Sequence, residues 1–325
     1  MVKMGIIGAG RIAGFMGRTL QGMDTVGRYA IAARDYERAK AFAEKYGFEK
    51  AYGSYEEMVK DPEVDLVYIA TPHSHHYDHV KLCLEHGKHV LCEKAFTVNE
   101  GQARELFAMA KERGLLLTEA IWTRYMPMRK TLEEVLASGI IGNPYMLTAN
   151  LSYIIDHKER IKKPELAGGA LLDIGIYTLN FASMAFGEDI ERITGTATFN
   201  EYGMDMQENI TILYRDGGMA ALNSSARSLS DRRGIIYGDK GYIETENINN
   251  CEGIKVFDTE RRLVASYETP EQITGYEYEV EACVHAIEQG ELECPQMPHE
   301  ETLRMLRWMD ELRRQWGIVY PMEQG

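Results

Sequence analysis

The sequence predicts an α/β protein in two parts: a doubly wound parallel sheet first, then an α+β domain on a large open, mostly antiparallel sheet. Three observations carry this. The chain opens with a short apolar strand, a glycine turn and a helix. Short apolar runs then alternate with helix-period segments as far as Glu119. From Ile190 onward the pattern changes to successive strands with hairpin-type turns at Asp216-Gly217-Gly218 and Asp239-Lys240-Gly241. The 325 residues, 45% of them apolar, suffice for two cored domains. We expect one over residues 1–122 and another over 123–325, with the last helix a candidate to pack back on the first.

Met4, Ile6 and Ile7 make the first strand, and Gly8-Ala9-Gly10-Arg11-Ile12-Ala13 follows it as G-x-G-x-x-A. Gly8 allows the sharp turn, Gly10 lets the main chain approach a pyrophosphate, and Ala13 lets the helix lie close on the strand. The free N–H groups of the helix opened by Arg11 and Ile12 would hold phosphates. Tyr29 to Ala33 reads as the second strand and Tyr36 to Tyr46 as a helix. At the tip between them, where NAD enzymes of this kind place an acid, stands Ala33, followed by Arg34 and Asp35. Arg34 suits a 2′-phosphate by charge and fork geometry. Asp35 would either approach the ribose or cap the helix. The stretch favours NADP, with NAD the alternative.

Leu66–Ala70, His89–Cys92 and Leu115–Thr118 read as further strands, and a capping box at Thr97 and Glu100 starts a helix that stops at Gly114. Ligands in such sheets lie beyond the carboxyl ends of the strands. Thr71-Pro72, Glu93-Lys94 and Glu119 fall at those ends. His73, His75, His76 and His79 crowd one of them, but no cysteine or paired acid stands at a zinc spacing. We therefore expect no metal there and one histidine near a cofactor.

Further on, a helix is expected from Met126 to Ser138, a strand from Tyr145 to Tyr153, and a basic loop from His157 to Lys163. Gly168-Gly169 precedes a helix expected from Ala170 to Phe186, on which Asp173, Tyr177 and Asn180 would share one face. Seven strands follow by pattern, from Ile190–Phe199 to Val264–Tyr267, and helices over Tyr276–Gln289 and Glu300–Gln315 close the chain. An open sheet of this size needs its far face covered, and self-association is the simplest cover.

The net charge of −14 argues against nucleic acid and against an anionic membrane as partners. No run of 18 apolar residues suggests a membrane helix, and Met1-Val2-Lys3 reads as the first strand rather than a signal peptide. Five scattered cysteines without a C-x-x-C pair fit reduced thiols in the cytoplasm.

Several separated motifs resemble the Gfo/Idh/MocA oxidoreductase family: Gly8 to Ala13, Thr71-Pro72 with His76, Gly87-Lys88-His89-Val90-Leu91-Cys92-Glu93-Lys94, and Gly168 to Gly175. Glu119-Ala120-Ile121-Trp122-Thr123-Arg124 and Gly175-Ile176-Tyr177 look most like its dihydrodiol dehydrogenase branch, which uses NADP and also oxidises aldoses such as xylose. The resemblance implies a Rossmann domain, a C-terminal domain whose open sheet makes dimers, and catalytic roles for Lys94 and Tyr177. The family's Glu-Lys-Pro is Glu93-Lys94-Ala95 here, and its frequent acid three residues after the tyrosine position is Asn180.

The expected reaction is hydride transfer between nicotinamide and a carbinol carbon of a small polyol, sugar or cyclic diol. Tyr177 would donate or accept the proton, Lys94 would tune it and anchor substrate, and Asp173 would orient Lys94 or a substrate hydroxyl. Trp122 would form an apolar wall for a sugar or ring face, or belong to the core. Arg124 belongs to the same expected substrate site. Thr71, Pro72, His76, Glu93 and Lys94 would contact the cofactor. Two other readings stay open: an NAD-dependent glycosidase of the same family, and a non-catalytic dinucleotide-binding sensor.

Overall fold

The computed structural model describes residues 1–323. The chain forms two compact units. One comprises Met1–Tyr125 with Gln272–Leu303, and the other Met126–Glu271 with the chain from Arg304 onward. The segment 272–303, read from the sequence as part of the second domain, is thus counted with the first.

In the first unit, β1 (Val2–Ile7), α1 (Arg11–Gln21), β2 (Val26–Ala32), α2 (Tyr36–Tyr46) and β3 (Lys50–Tyr52) follow in order. Then come α3 (Tyr55–Val59), β4 (Leu66–Ile69), α4 (His76–Glu85), β5 (His89–Glu93), α5 (Glu100–Arg113) and β6 (Leu117–Ala120). The six strands pair in parallel in the order β3-β2-β1-β4-β5-β6. The order reverses between β1 and β4, so the ends of these two strands flank the crevice where this fold binds ligands. Leu66, Val67, Tyr68 and Ile69 are all wholly buried, as a parallel strand covered on both faces requires. The sequence pattern did not anticipate β3 and α3. A three-residue edge strand has too few positions to show a period.

The capping box moves by two residues. Asn99, not Thr97, caps α5, accepting from the Gln102 N–H, while Gln102 Oε1 accepts from Val98 N. Thr97 instead donates to the carbonyl of Asn99. Asn is at least as good a cap as Thr, and starting the helix here gives it an acceptor three residues on.

The second unit begins with α6 (Pro127–Ala137), β7 (Pro144–Ser152) and the short α7 (Glu159–Lys162). The helix expected from Ala170 opens instead with a π-helical turn, Leu171–Gly175, before α8 (Ile176–Phe186). Seven strands follow: β8 (Ile190–Phe199), β9 (Asp205–Tyr214), β10 (Met219–Ser225), β11 (Gly234–Gly238), β12 (Gly241–Glu246), β13 (Gly253–Asp258) and β14 (Leu263–Glu268). With β7 they form an eight-stranded sheet in the order β14-β13-β12-β11-β7-β10-β9-β8. β7 and β10 pair in parallel and the other neighbours antiparallel. α9 (Glu277–Gln289) and α10 (His299–Trp316) follow, and α9 is counted with the first unit.

One face of this sheet is covered. Met206, Glu208, Ile210, Ile212 and Tyr214 of β9 are buried while Gln207, Asn209 and Thr211 between them are exposed, the alternation of a half-buried strand. α8 packs on β7 and β10, and the π turn on β9. The segment Pro164–Phe186 is long and apolar enough to cross a membrane by composition alone, yet 78% of its most apolar window is buried inside the protein. That is the apolarity of a core helix. On the other face Met146 and Met219 are exposed, and Tyr242 stacks on Phe257 at 4.8 Å between centroids.

Candidate active site

The glycine turn has the geometry of a phosphate cradle. Gly8 sits at φ +97, and a β-carbon there would come within 3.0 Å of the Ala70 carbonyl oxygen. Its N–H donates to the Ala32 carbonyl at 2.9 Å, tying the ends of β1 and β2. Gly10 is the N-cap of α1 and offers no side chain to it. A β-carbon on Gly10 would meet nothing within 4 Å, so open space lies where a pyrophosphate would approach. Arg11 is exposed, Ile12 half-buried, and Ala13 wholly buried against the sheet.

Asp35 caps α2, accepting from the N–H groups of Glu37 and Arg38. Arg34 is exposed beside it. Arg38, which the sequence reading missed, forks onto the Ala9 carbonyl with Nε at 3.1 Å and Nη2 at 2.8 Å. Its signal was its place in the first turn of α2, just beyond the arginine singled out. A groove of about 470 Å³ runs from here along α1 and α2, lined by Arg11, Arg18, Arg38 and Lys45 with the rings of Phe15 and Phe42.

The ends of β4, β5 and β6 gather the other expected residues of this unit. Thr71 is half-buried, its hydroxyl 3.0 Å from His79 Nδ1, and Pro72 is exposed. His76 is wholly buried, with Nδ1 2.8 Å from the Ala95 carbonyl and Nε2 2.8 Å from the Thr71 carbonyl. Burial pushes its pKa down to about 4, so the ring is neutral at pH 7 and donates to one carbonyl at a time. His76 is therefore a tie between two strand-end loops and presents no exposed edge to a ligand. Among the described residues, no group of three or more histidines, cysteines or acids is arranged to hold a metal ion.

Glu93 is 7% exposed and accepts from the Tyr68 hydroxyl. Lys94 is half-buried, and its peptide bond to Ala95 is cis. Glu119, at the end of β6, is fully buried: Oε1 accepts from Phe96 N at 3.0 Å and Oε2 from Thr302 Oγ1 at 2.9 Å. Burial raises its pKa to about 7 in spite of those bonds.

Two residues read toward substrate are committed elsewhere. Arg124 is 3% exposed, and its Nη2 lies 2.8 Å from Glu301 Oε2. Trp122 is 9% exposed and stacks on Tyr276 with centroids 4.4 Å apart, so it packs as core. Both partners, Glu301 and Tyr276, are distant in sequence, so a local reading does not show them.

In the second unit the polar trio falls on two helical elements, Asp173 on the π turn and Tyr177 and Asn180 on α8. Tyr177 is half-buried in the first turn of α8. Asp173, in the π turn, pairs with Arg160 at 2.5 Å. Asn180 is wholly buried and donates to the Ile176 carbonyl at 2.8 Å. The wider π turn changes the phase between Asp173 and the residues after it, while Tyr177 and Asn180 keep the i, i+3 spacing of α8. Under the turn lie Asp205 and Glu208, which the sequence reading did not single out. Asp205 Oδ2 accepts from Leu171 N at 2.6 Å. Burial raises the Asp205 pKa to about 6 and that of Glu208 well above the carboxylate range.

A glycine cradle at the switch point of a parallel sheet, with arginines at the tip of β2 and a lysine at the end of β5, defines an NAD(P)-binding oxidoreductase domain. Residues 2–121 match the model of the oxidoreductase family with NAD-binding Rossmann fold, and residues 130–244 match the Gfo/Idh/MocA C-terminal domain. The chain is 35% identical to a trans-1,2-dihydrobenzene-1,2-diol dehydrogenase of Xenopus tropicalis over 98% of this chain and 99% of that one. It is 34% identical to the Homo sapiens enzyme of that name, over 99% of each. Among solved structures it is similar to a 3-ketoreductase from Actinomadura kijaniata in complex with NADP and TDP-benzene, with TM-score 0.88 and 26% identity, covering 96% of this chain and 97% of that one. The chain belongs to the Gfo/Idh/MocA family and is an NAD(P)-dependent dehydrogenase.

Proposed function

We propose that this enzyme moves a hydride between NADP and a carbinol carbon of a sugar or cyclic diol. The observation that carries the cofactor choice is the use of Asp35 as a helix cap, which leaves Arg34 and Arg38 as the charged groups at the tip of β2. A 2′-phosphate matches the fork of Arg34 and the charge of Arg38, whose Nε and Nη2 bond the Ala9 carbonyl, and a bare ribose diol would instead call for a carboxylate. Gly8 to Ile12 would hold the pyrophosphate and Thr71-Pro72 the approach to the nicotinamide. When bound, the nicotinamide would supply C4 as the carbon that takes or gives the hydride. The substrate class is supported by the dihydrodiol dehydrogenase relatives, 34–35% identical over nearly the whole chain.

In the oxidative direction the hydroxyl proton passes to Tyr177 as the C–H hydride leaves, and a carbonyl forms. An ordinary tyrosine, with a pKa of about 10, is a poor base near neutrality, and a neighbouring ammonium stabilises its phenolate. Lys94, matched to the family's catalytic lysine, would be that ammonium and would bond the substrate oxygen. Asp173, already paired with Arg160, orients the turn that leads to Tyr177. The enzyme acts as a homodimer in which the open face of the eight-stranded sheet, with Met146, Met219 and Tyr242, is covered. Five free cysteines fit the cytoplasm.

The test is to incubate pure protein with NADP or NAD and a panel of aldoses and cyclic diols while following reduced cofactor. Sustained reduction with NADP preferred is expected, and Arg34→Ala should weaken NADP binding roughly 10- to 100-fold while leaving NAD binding as it was. Cofactor-dependent glycoside cleavage without net reduction, or binding without turnover, would overturn the reading.

A further inference from the structure

We infer that Glu119 is a positioning residue for Lys94, gripping the peptide group that follows the lysine's own segment. The inference rests on the catalytic role proposed for Lys94. Lys94 stands on an irregular segment between β5 and α5. The peptide unit joining Ala95 and Phe96 is held at both ends by side chains. Glu119 Oε1 accepts from Phe96 N at 3.0 Å, and His76 Nδ1 lies 2.8 Å from the Ala95 oxygen. Both side chains are wholly buried or nearly so, at 1% and 0% exposure, so each holds one geometry. A peptide unit held in this way is kept from rotating, and it anchors the Ala95 Cα from which the Lys94–Ala95 peptide, and through it the lysine, extends.

Glu119 is an unusual place for a carboxyl unless it has such a task. It ends a strand whose other residues are buried, and burial costs it enough to raise its pKa to about 7. The groups that face it are Cys92 on β5, Lys94, Arg124 in the turn after β6, and Thr302 on α10. Thr302 supplies an internal control. It bonds the other oxygen of the same carboxyl, at 2.9 Å, and not the oxygen that accepts from Phe96 N.

The experiment compares Glu119→Met, Glu119→Gln and Thr302→Val in the full-length enzyme, measuring kcat, NADP dissociation constant, melting temperature and the pH profile of kcat. Methionine keeps the shape of the side chain and loses the acceptor. Glutamine keeps an acceptor for Phe96 N and turns its amide toward Thr302 Oγ1. The expected result is a roughly 10- to 100-fold loss of kcat in Glu119→Met with little change in NADP binding. The acid limb of its profile should move up by roughly one pH unit, as the tyrosine base loses its well-placed ammonium. Glu119→Gln should recover most of the loss, and Thr302→Val should leave kcat as it was. If the methionine variant does not fold, Glu119→Ser, which reaches neither donor, replaces it in the same comparison. Glu119→Met with wild-type kcat and pH profile, or Gln and Met equally impaired, would overturn the inference. Lys94→Ala, run alongside, separates the two ideas. Full activity in that variant sinks the proposed role of Lys94 itself, whereas its inactivity beside an active Glu119→Met sinks only the grip.

Discussion

The segment that carries Lys94 and the segment that carries Tyr177 are held by opposite means. Lys94 lies on irregular chain, and side chains from β6 and α4 reach in to bond its neighbouring backbone. Tyr177 lies on a helix with its own ladder, and what sets it is the π turn beneath it, seated on Asp205 and Glu208. A β-carbon on Gly175 would come within 2.6 Å of Glu208 Oε1 and 3.1 Å of Leu171 Cδ1. One segment therefore depends on the presence of polar side chains, the other on the absence of a methyl group. Deleting an acceptor should loosen the first, and adding a carbon should disturb the second.

Gly175→Ala is the sharpest way to break that contrast. The added methyl has no room, so we expect a loss of about 1–3 kcal/mol in stability, read by denaturant titration, together with a lower kcat. The same change at Gly10 should do the reverse. A β-carbon there meets nothing within 4 Å, so folding is undisturbed while the methyl intrudes on the cofactor. NADP affinity should fall by roughly tenfold or more at unchanged melting temperature, as a phosphate loses its close approach to the backbone. Equal effects of the two alanines on stability would mean that the glycines do not differ as the geometry says.

The smaller effect concerns pH. Glu119 has its pKa raised from 4.5 to about 7 and Asp205 from 3.8 to about 6. Both therefore hold a proton in the folded state that the unfolded chain has released. Below pH 4 both states are protonated, and stability falls as pH rises through the interval up to about pH 7. Removing the titration with Glu119→Gln or Asp205→Asn should flatten that decline in melting temperature. An unchanged slope in both variants would place the cause elsewhere.

Much of the first unit was legible because its signals are local. α2 runs from Tyr36 to Tyr46 as read, since Asp35 caps it and Gly47, at φ +75, stops it. The strand ends also fell where the apolar runs stop, which put Thr71, Lys94 and Glu119 in view. What letters did not show was where side chains point once distant segments pack. Arg124, expected at the substrate, pairs with Glu301; Trp122, expected as a substrate wall or as core, stacks on Tyr276; and His76, expected at the cofactor, is buried between two backbone carbonyls. The π turn has no period that the sequence displays at a single turn, so the continuous helix expected from Ala170 begins as an α-helix only at Ile176, after Asp173. Asp205 and Glu208 sit among the apolar positions of β9, and nothing in a strand's alternation marks a buried acid.

Tyr177 is proposed to move the proton while the cofactor unit, which does not contain it, binds NADP. Turnover of Tyr177→Phe, measured beside its NADP dissociation constant, tests this most directly. The account predicts a kcat lower by roughly 100-fold or more with cofactor affinity and melting temperature unchanged. Wild-type turnover in that variant would contradict it.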